Sequence, residues 1–158
     1  MLLVADSSAL IALSVCDALS FLEILFTSVK VPETVYNEVI KKGKKESAKL
    51  QIFLENKIEK ISIDDYVITD SSIEHGELSA MALYKKIGAD KLLLDDKRAR
   101  KVALVNKINI IGSSGILLRA KRKNLITNVK PYLDKIKTSD IYLSEKLYND
   151  ILEIAEEL

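Results

Sequence analysis

The sequence predicts an α/β fold: a three-layer α/β/α sandwich with a central parallel β-sheet and further helices at its C-terminus. Short apolar runs alternate with segments of helical periodicity, which implies parallel strands, crossover helices and helices on both faces of the sheet. The first run opens LLVADSSAL, an apolar stretch ending in one carboxylate and two hydroxyl residues before a second apolar segment. That is how a buried parallel strand turns into a helix. The chain has 158 residues, 48% hydrophobic and 30% charged, enough for one domain with one good core.

Taken in order, Asp6 closes the first strand, and Ser7 and Ser8 offer N-cap hydroxyls for a helix through ALIALSVC. Asp17 stands where a cap for a second short helix, ALSFLEILF, is expected. A strand follows over 29–31, then Pro32 at the first position of the helix ETVYNEVIKK, which Gly43 stops. Residues 44–56 read as an amphipathic helix, and Ile58, Ile61 and Ile63 as a strand or strand-like connection. The polar stretch 64–72 leads into SIEHGELSAMALYKKIG, with capping-box spacing at Ser71 and Glu74 and a stop at Gly88. A buried strand over 91–94, the helix DKRARKVALVNK, a strand over 108–111 and the turn Gly112-Ser113-Ser114 into GILLRAKRK follow. Two more helices, over 129–137 and 144–158, complete the chain. Residues 1–125 make the sandwich, and residues 126–158 are a helical extension of the same domain.

Bulk properties exclude several classes. Lys and Arg number 24 against 23 Asp and Glu, so net charge names no partner. Cys16 is the only cysteine, which rules out an intrachain disulfide and fits a reducing compartment. The apolar N-terminus lacks a basic leader and is interrupted by Asp6, Asp17 and Glu23, and no other stretch reaches the length of a membrane span. A cytoplasmic protein with no membrane contact is expected. GxGxxG and GxxxxGK[ST] are both absent. Ser8 stands where a phospho-aspartyl hydrolase would carry a second Asp.

The chemistry is in the carboxylates. Asp6 ends the first strand, and Asp95 and Asp96 end the strand KLLL. Strand ends of an open α/β sheet are where ligands bind. Glu77 shares a helix face with Ala80, Met81 and Tyr84, and Glu38 follows Val35 by one turn. An acid on a buried face is costly unless it is paired or holds a cation. Clustered carboxylates without His or Cys suit Mg²⁺ or Mn²⁺, and such ions serve phosphodiester hydrolysis.

Each acid also has a local explanation. Asp6 and Asp96 can cap the helices that follow them, and Glu38 can pair with Lys42 at helical spacing. Glu77 is hardest to explain that way. Two strand-end acids and two inward-facing helical acids in one small domain favour a site.

This set resembles the PIN-domain family, metal-dependent ribonucleases that include the VapC-type toxins. The likeness lies in VADSSALIAL, VPETVYNEV, GELSAMALYKKIGADKLLLDDKRAR and INIIGSSGILLRAKRKNLI, in that order, over about residues 2–125. The nearest likeness is to a branch with a helical C-terminal extension. The resemblance implies Asp6, Glu38, Glu77 and Asp96 as catalytic acids, with Asp6, Glu77, Asp95 and Asp96 holding the metal. Ser7, Ser8 and Ser113 would support them. It also implies an RNA substrate, a homodimer and, for a toxin, an antitoxin protein as partner. Glu77 stands where the family usually has Asp, and Leu94 where it has Thr; both leave open a second reading, an inactive RNA- or protein-binding module.

Basic residues cluster at Lys41, Lys42, Lys44 and Lys45, at Lys97, Arg98, Arg100 and Lys101, and at Arg119, Lys121, Arg122 and Lys123. Such runs are commonly solvated helix ends. The second begins directly after Asp96, within reach of a phosphate backbone at the acids, and is the expected nucleic-acid contact. His75 reads as a surface or capping residue, Cys16 as core, and Tyr132, Tyr142 and Tyr148 as packing for the last helices.

Overall fold

The computed structural model of the protein describes residues 1–41, 44–62 and 73–158. Among these, five parallel strands form one sheet: β1 Leu2–Ala5, β2 Ser28–Pro32, β3 Ile58–Glu59, β4 Lys91–Leu93 and β5 Ile110–Ile111, in the order β3-β2-β1-β4-β5. Central β1 pairs with β2 through Leu3 and Val29 and with β4 through Val4 and Leu92. The chain leaves β1 first toward β2 and later returns on the other side to β4. The carboxyl end of β1 is therefore the topological switch point, where a crevice opens between strand ends.

Both faces of the sheet are covered. Leu3, Ala5 and Leu93 belong to a cluster with α1 (Ser7–Val15), α2 (Ser20–Leu25), α3 (Glu33–Val39), α4 (Ser47–Leu54) and α7 (Ser113–Arg122). α8 (Lys130–Lys137) and α9 (Glu145–Ile154) join the same cluster through Leu133, Ile136, Ile151 and Leu152. Val4, Leu92 and Leu94 face the other way, against Ala80 and Met81 of α5 (His75–Ile87) and Ala99 and Ala103 of α6 (Lys97–Val105). Leu3, Val4 and Ala5 are all fully buried, which is why this strand is apolar throughout. Each buried leucine contributes about 1.5–3 kcal/mol.

Several local expectations are corrected. Pro32 is the last residue of β2 and the N-cap of α3, not its first turn. That helix ends at Val39 with Ile40 as C-cap, and Gly43 lies outside the described residues. Ser7 and Ser8 lie inside the first turn of α1, with Asp6 at the N-cap position. Asp17 caps nothing: α2 begins at Ser20, and Asp17 adopts φ 56° and pairs with Lys49 and Lys135. Glu74 is the N-cap of α5 and forms a capping box with Glu77; Ser71 lies outside the described residues. Gly88 does end α5, at φ 62°. Tyr132 packs on Phe21 at 5.7 Å between ring centroids and Tyr148 is buried, but Tyr142 is 88% exposed and packs nothing.

Candidate active site

The switch point gathers acids from four elements. The Asp6 amide donates to the Leu93 carbonyl at 2.9 Å, so Asp6 continues the β1–β4 ladder and stands beside the chain entering Leu94-Asp95-Asp96. α3 and α5 pack against each other, tied by a hydrogen bond from Ser79 Oγ to Thr34 Oγ1 at 3.4 Å. They bring Glu38 and Glu77 to the same end of the sheet. Gly76 makes the approach possible, because a Cβ there would lie 2.8 Å from Glu38 Oε2.

Asp6 is the anomalous group. Its side chain is 1% exposed, and neither carboxylate oxygen has a hydrogen-bond partner. Although it occupies the N-cap position of α1, its side chain caps nothing. The local explanation for this acid therefore fails. Burial pushes its pKa up to about 7, and the carboxylates of Glu77, Glu38 and Asp96 push in the same direction. The Ser7 amide opposes that rise without reaching hydrogen-bond geometry with either oxygen. Those three carboxylates share its field.

The other acids are partly engaged. Glu77 is half-buried; its Oε2 accepts the Glu74 amide at 3.0 Å within the capping box. Burial raises its pKa, the Glu74 amide draws it down, and Asp96, Glu74 and Glu38 raise it further. Exposed Asp96 is the N-cap of α6, with Oδ1 accepting the Ala99 amide at 2.8 Å. No hydrogen bond or ion pair among the described residues engages Glu38. Asp95 does different work: its Oδ1 and Oδ2 accept the amide and hydroxyl of Ser113, each at 2.7 Å, fixing the first turn of α7.

A cleft of about 490 Å³ opens beside these acids, lined by Glu74, Glu77, Asp96, Lys97, Arg98 and Lys101. Three members of the predicted basic cluster thus share a wall with two of the acids. The fourth, Arg100, is half-buried and donates from Nη1 to the Leu94 carbonyl at 3.2 Å. Ser7 is buried, whereas Ser8 is exposed and lines a neighbouring cleft. Sequence reasoning paired Glu74 with Ser71 instead of placing it at the N-cap, and it missed Gly76; the spacing Glu74-His75-Gly76-Glu77 was the available signal for the capping box.

The donor set fits a hard divalent cation. All candidate ligands are carboxylates, His75 is exposed, and Cys16 is a buried thiol at the end of α1 whose pKa burial pushes up to about 12. Asp6 supplies two buried oxygens in need of a partner. Among the described residues, no three acidic, His or Cys side chains are close enough to form a ready-made shell. The acids surround the site but do not close it.

An all-parallel sheet covered on both faces, with acids collected at its switch point, defines an α/β/α protein with a candidate site at its strand ends. The sequence model of the PIN domain matches residues 2–157, and the chain belongs to the PIN-domain family. PIN domains are in general nucleases and typically use divalent metals. The match continues through α8 and α9, beyond the residues that carried the resemblance. No curated protein and no solved structure matches the chain. Among the described residues, no helix is long and apolar enough to cross a membrane.

Proposed function

We propose that the protein is a Mg²⁺- or Mn²⁺-dependent ribonuclease of PIN type that hydrolyses RNA phosphodiester bonds. The observation that carries this reading is Asp6, buried at the sheet's switch point with two unpartnered oxygens and three further carboxylates in its field. An unpaired buried carboxylate destabilises the fold unless a cation compensates it, so the arrangement makes sense as a binding site. Asp6, Glu38, Glu77 and Asp96 would hold the ion. Asp95 serves by holding Ser113. When bound, a divalent cation supplies Lewis acidity toward the scissile phosphate and acidifies water enough for attack near neutral pH.

The chain's own contributions are binding and orientation. Lys97, Arg98 and Lys101 line the acid cleft and attract the phosphate backbone, offsetting the repulsion an RNA would meet from the acids. The capping box holds the Glu77 carboxylate against the start of α5, with one oxygen left over. A role as a toxin restrained by an antitoxin protein, a homodimeric state and a cytoplasmic location belong to the same reading.

A second reading has one observation in its favour. Among the described residues the acids do not form a closed shell, which suits a module that binds RNA or protein without cleaving it. A cleavage assay with purified protein, Mn²⁺ and both structured and single-stranded RNA separates the two. Cleavage that Asp6→Asn abolishes supports the nuclease. No cleavage, together with no Mn²⁺-induced thermal shift, assigns the protein to the binders.

A further inference from the structure

A second cleft, about 390 Å³, is lined by Lys97, the start of α7 and the connection from α8 to α9. Its polar lining comprises Lys97, Arg100, Ser113, Ser114 and Asp95, the last already engaged by Ser113, and its apolar lining includes Ile136, Leu147 and Tyr142. Lys97 lines both clefts, so they adjoin at that side chain.

Tyr142 is the unusual element. Its neighbours Ile141 and Leu143 are partly buried against the main core, while Tyr142 itself is 88% exposed. The connection is braced on both sides of it. Ser139 Oγ accepts the Ile141 amide at 3.1 Å, and Ser144 caps α9 by accepting the Leu147 amide at 3.1 Å. An aromatic side chain is thus held on the lip of a cleft by a fixed stretch of backbone, with no packing role of its own.

We infer that this second cleft is a nucleobase subsite, in which an unstacked base of single-stranded RNA lies against Tyr142 while its backbone passes Lys97 toward the acids. The inference rests on the ribonuclease reading above and deepens it by naming the form of the substrate. A nucleotide has an apolar, stackable ring and an anionic phosphate, and the cleft lining combines apolar side chains and Tyr142 with the Lys97 ammonium. Its volume lies at the lower end of the roughly 300–1,000 Å³ of small-ligand sites. An amphipathic helix from a partner would use the apolar lining but not Lys97, Ser113 and Ser114. A paired duplex hides its bases in the stack, so the subsite selects single strands.

The test is equilibrium binding of a short fluorescent single-stranded RNA to the full chain in EDTA, so that cleavage does not intervene. Stacking on an aromatic side chain predicts that Tyr142→Ala weakens binding about 5- to 150-fold. Tyr142→Phe retains the affinity, because it retains the ring face. The salt dependence separates the aromatic from the cationic contact: Tyr142→Ala leaves the slope of log affinity against log salt unchanged, whereas Lys97→Ala lowers it by about 0.7. An RNA bound equally by the parent and Tyr142→Ala overturns the subsite and leaves the ribonuclease reading intact. A parent chain that neither binds nor cleaves RNA overturns both. Loss of a dimer in Tyr142→Ala by sedimentation, without loss of RNA affinity, makes this face a contact between copies and likewise overturns the subsite.

Discussion

Glu38 reaches the start of α5 only because residue 76 is glycine: a side-chain carbon there would stand 2.8 Å from Glu38 Oε2. Gly76 is the second residue of α5 and does not have the positive φ that demands glycine, so the backbone accepts alanine. In a helix interior that change is worth about 0.5–1 kcal/mol in alanine's favour, and less in the first turn. The atom displaced is the far end of a flexible side chain, so the fold adjusts at little cost. Gly76→Ala is expected to keep or slightly raise the melting temperature while weakening Mn²⁺ binding and cleavage, because Glu38 must move away. A variant equal to the parent in Mn²⁺ titration would remove Glu38 from the site.

Asp95 and Asp96 are neighbours with different work. Asp95 accepts two hydrogen bonds from Ser113, which is itself buried. Bonds to a charged acceptor are worth about 1.5–3 kcal/mol each, so Asp95→Ala should destabilise the fold by about 2 kcal/mol or more. Asp96 caps α6, and Asn is as good an N-cap as Asp. Asp96→Asn is therefore expected to melt close to the parent but lose cleavage. Urea unfolding paired with an RNA assay reads the contrast; equal stability losses in the two variants would contradict the division of roles.

The sheet was legible because parallel strands buried on both faces are continuous apolar runs: LLVA and KLLL announce themselves, and the acid at each strand end follows directly. The face assigned to Glu77 was legible, since Ala80 and Met81 on it are buried, but the same residue also closes the capping box with Glu74. Helix starts were misplaced where two candidate caps competed locally, as at Asp6 and Ser7 or at Pro32. The contact of Gly76 with Glu38 joins residues far apart in sequence and leaves no periodic signal. Tyr148 shares a helix face with Ile151 and Leu152 and was legible as core, whereas exposed Tyr142 lies in a connection between two helices that carries no periodic signal.

The basic cluster divides in the same way. Lys97, Arg98 and Lys101 line the acid cleft, whereas Arg100 donates to the Leu94 carbonyl. Replacing the first three with alanine should lower the salt slope of single-stranded RNA binding by about 2, at roughly 0.7 per phosphate contact. Arg100→Ala should leave that slope unchanged and lower stability by about 1 kcal/mol. A salt slope that falls with Arg100→Ala would return this residue to the RNA contact.

Asp6 couples the proposed site to the stability of the whole fold. Its pKa rises from 3.8 to about 7 on folding, chiefly through burial and then through Glu77, Glu38 and Asp96. Between those values the folded state holds a proton that the unfolded state has released, so stability falls as pH rises. The loss is absent below pH 3.8, grows through the interval and is complete above about pH 7, where it amounts to about 4 kcal/mol. Asp6→Asn cannot ionise and does not carry this penalty. In EDTA, the variant should match the parent near pH 3.5 and exceed it in unfolding free energy by about 4 kcal/mol at pH 8. Adding Mn²⁺ at pH 8 should narrow that gap and, at saturation, close it. A ligand at a thousand times its Kd stabilises the parent by about 4.1 kcal/mol and does less for a variant lacking that charge. Parallel stability curves for the two proteins from pH 3.5 to 8, with no response to Mn²⁺ in either, would mean that Asp6 is an inert buried acid.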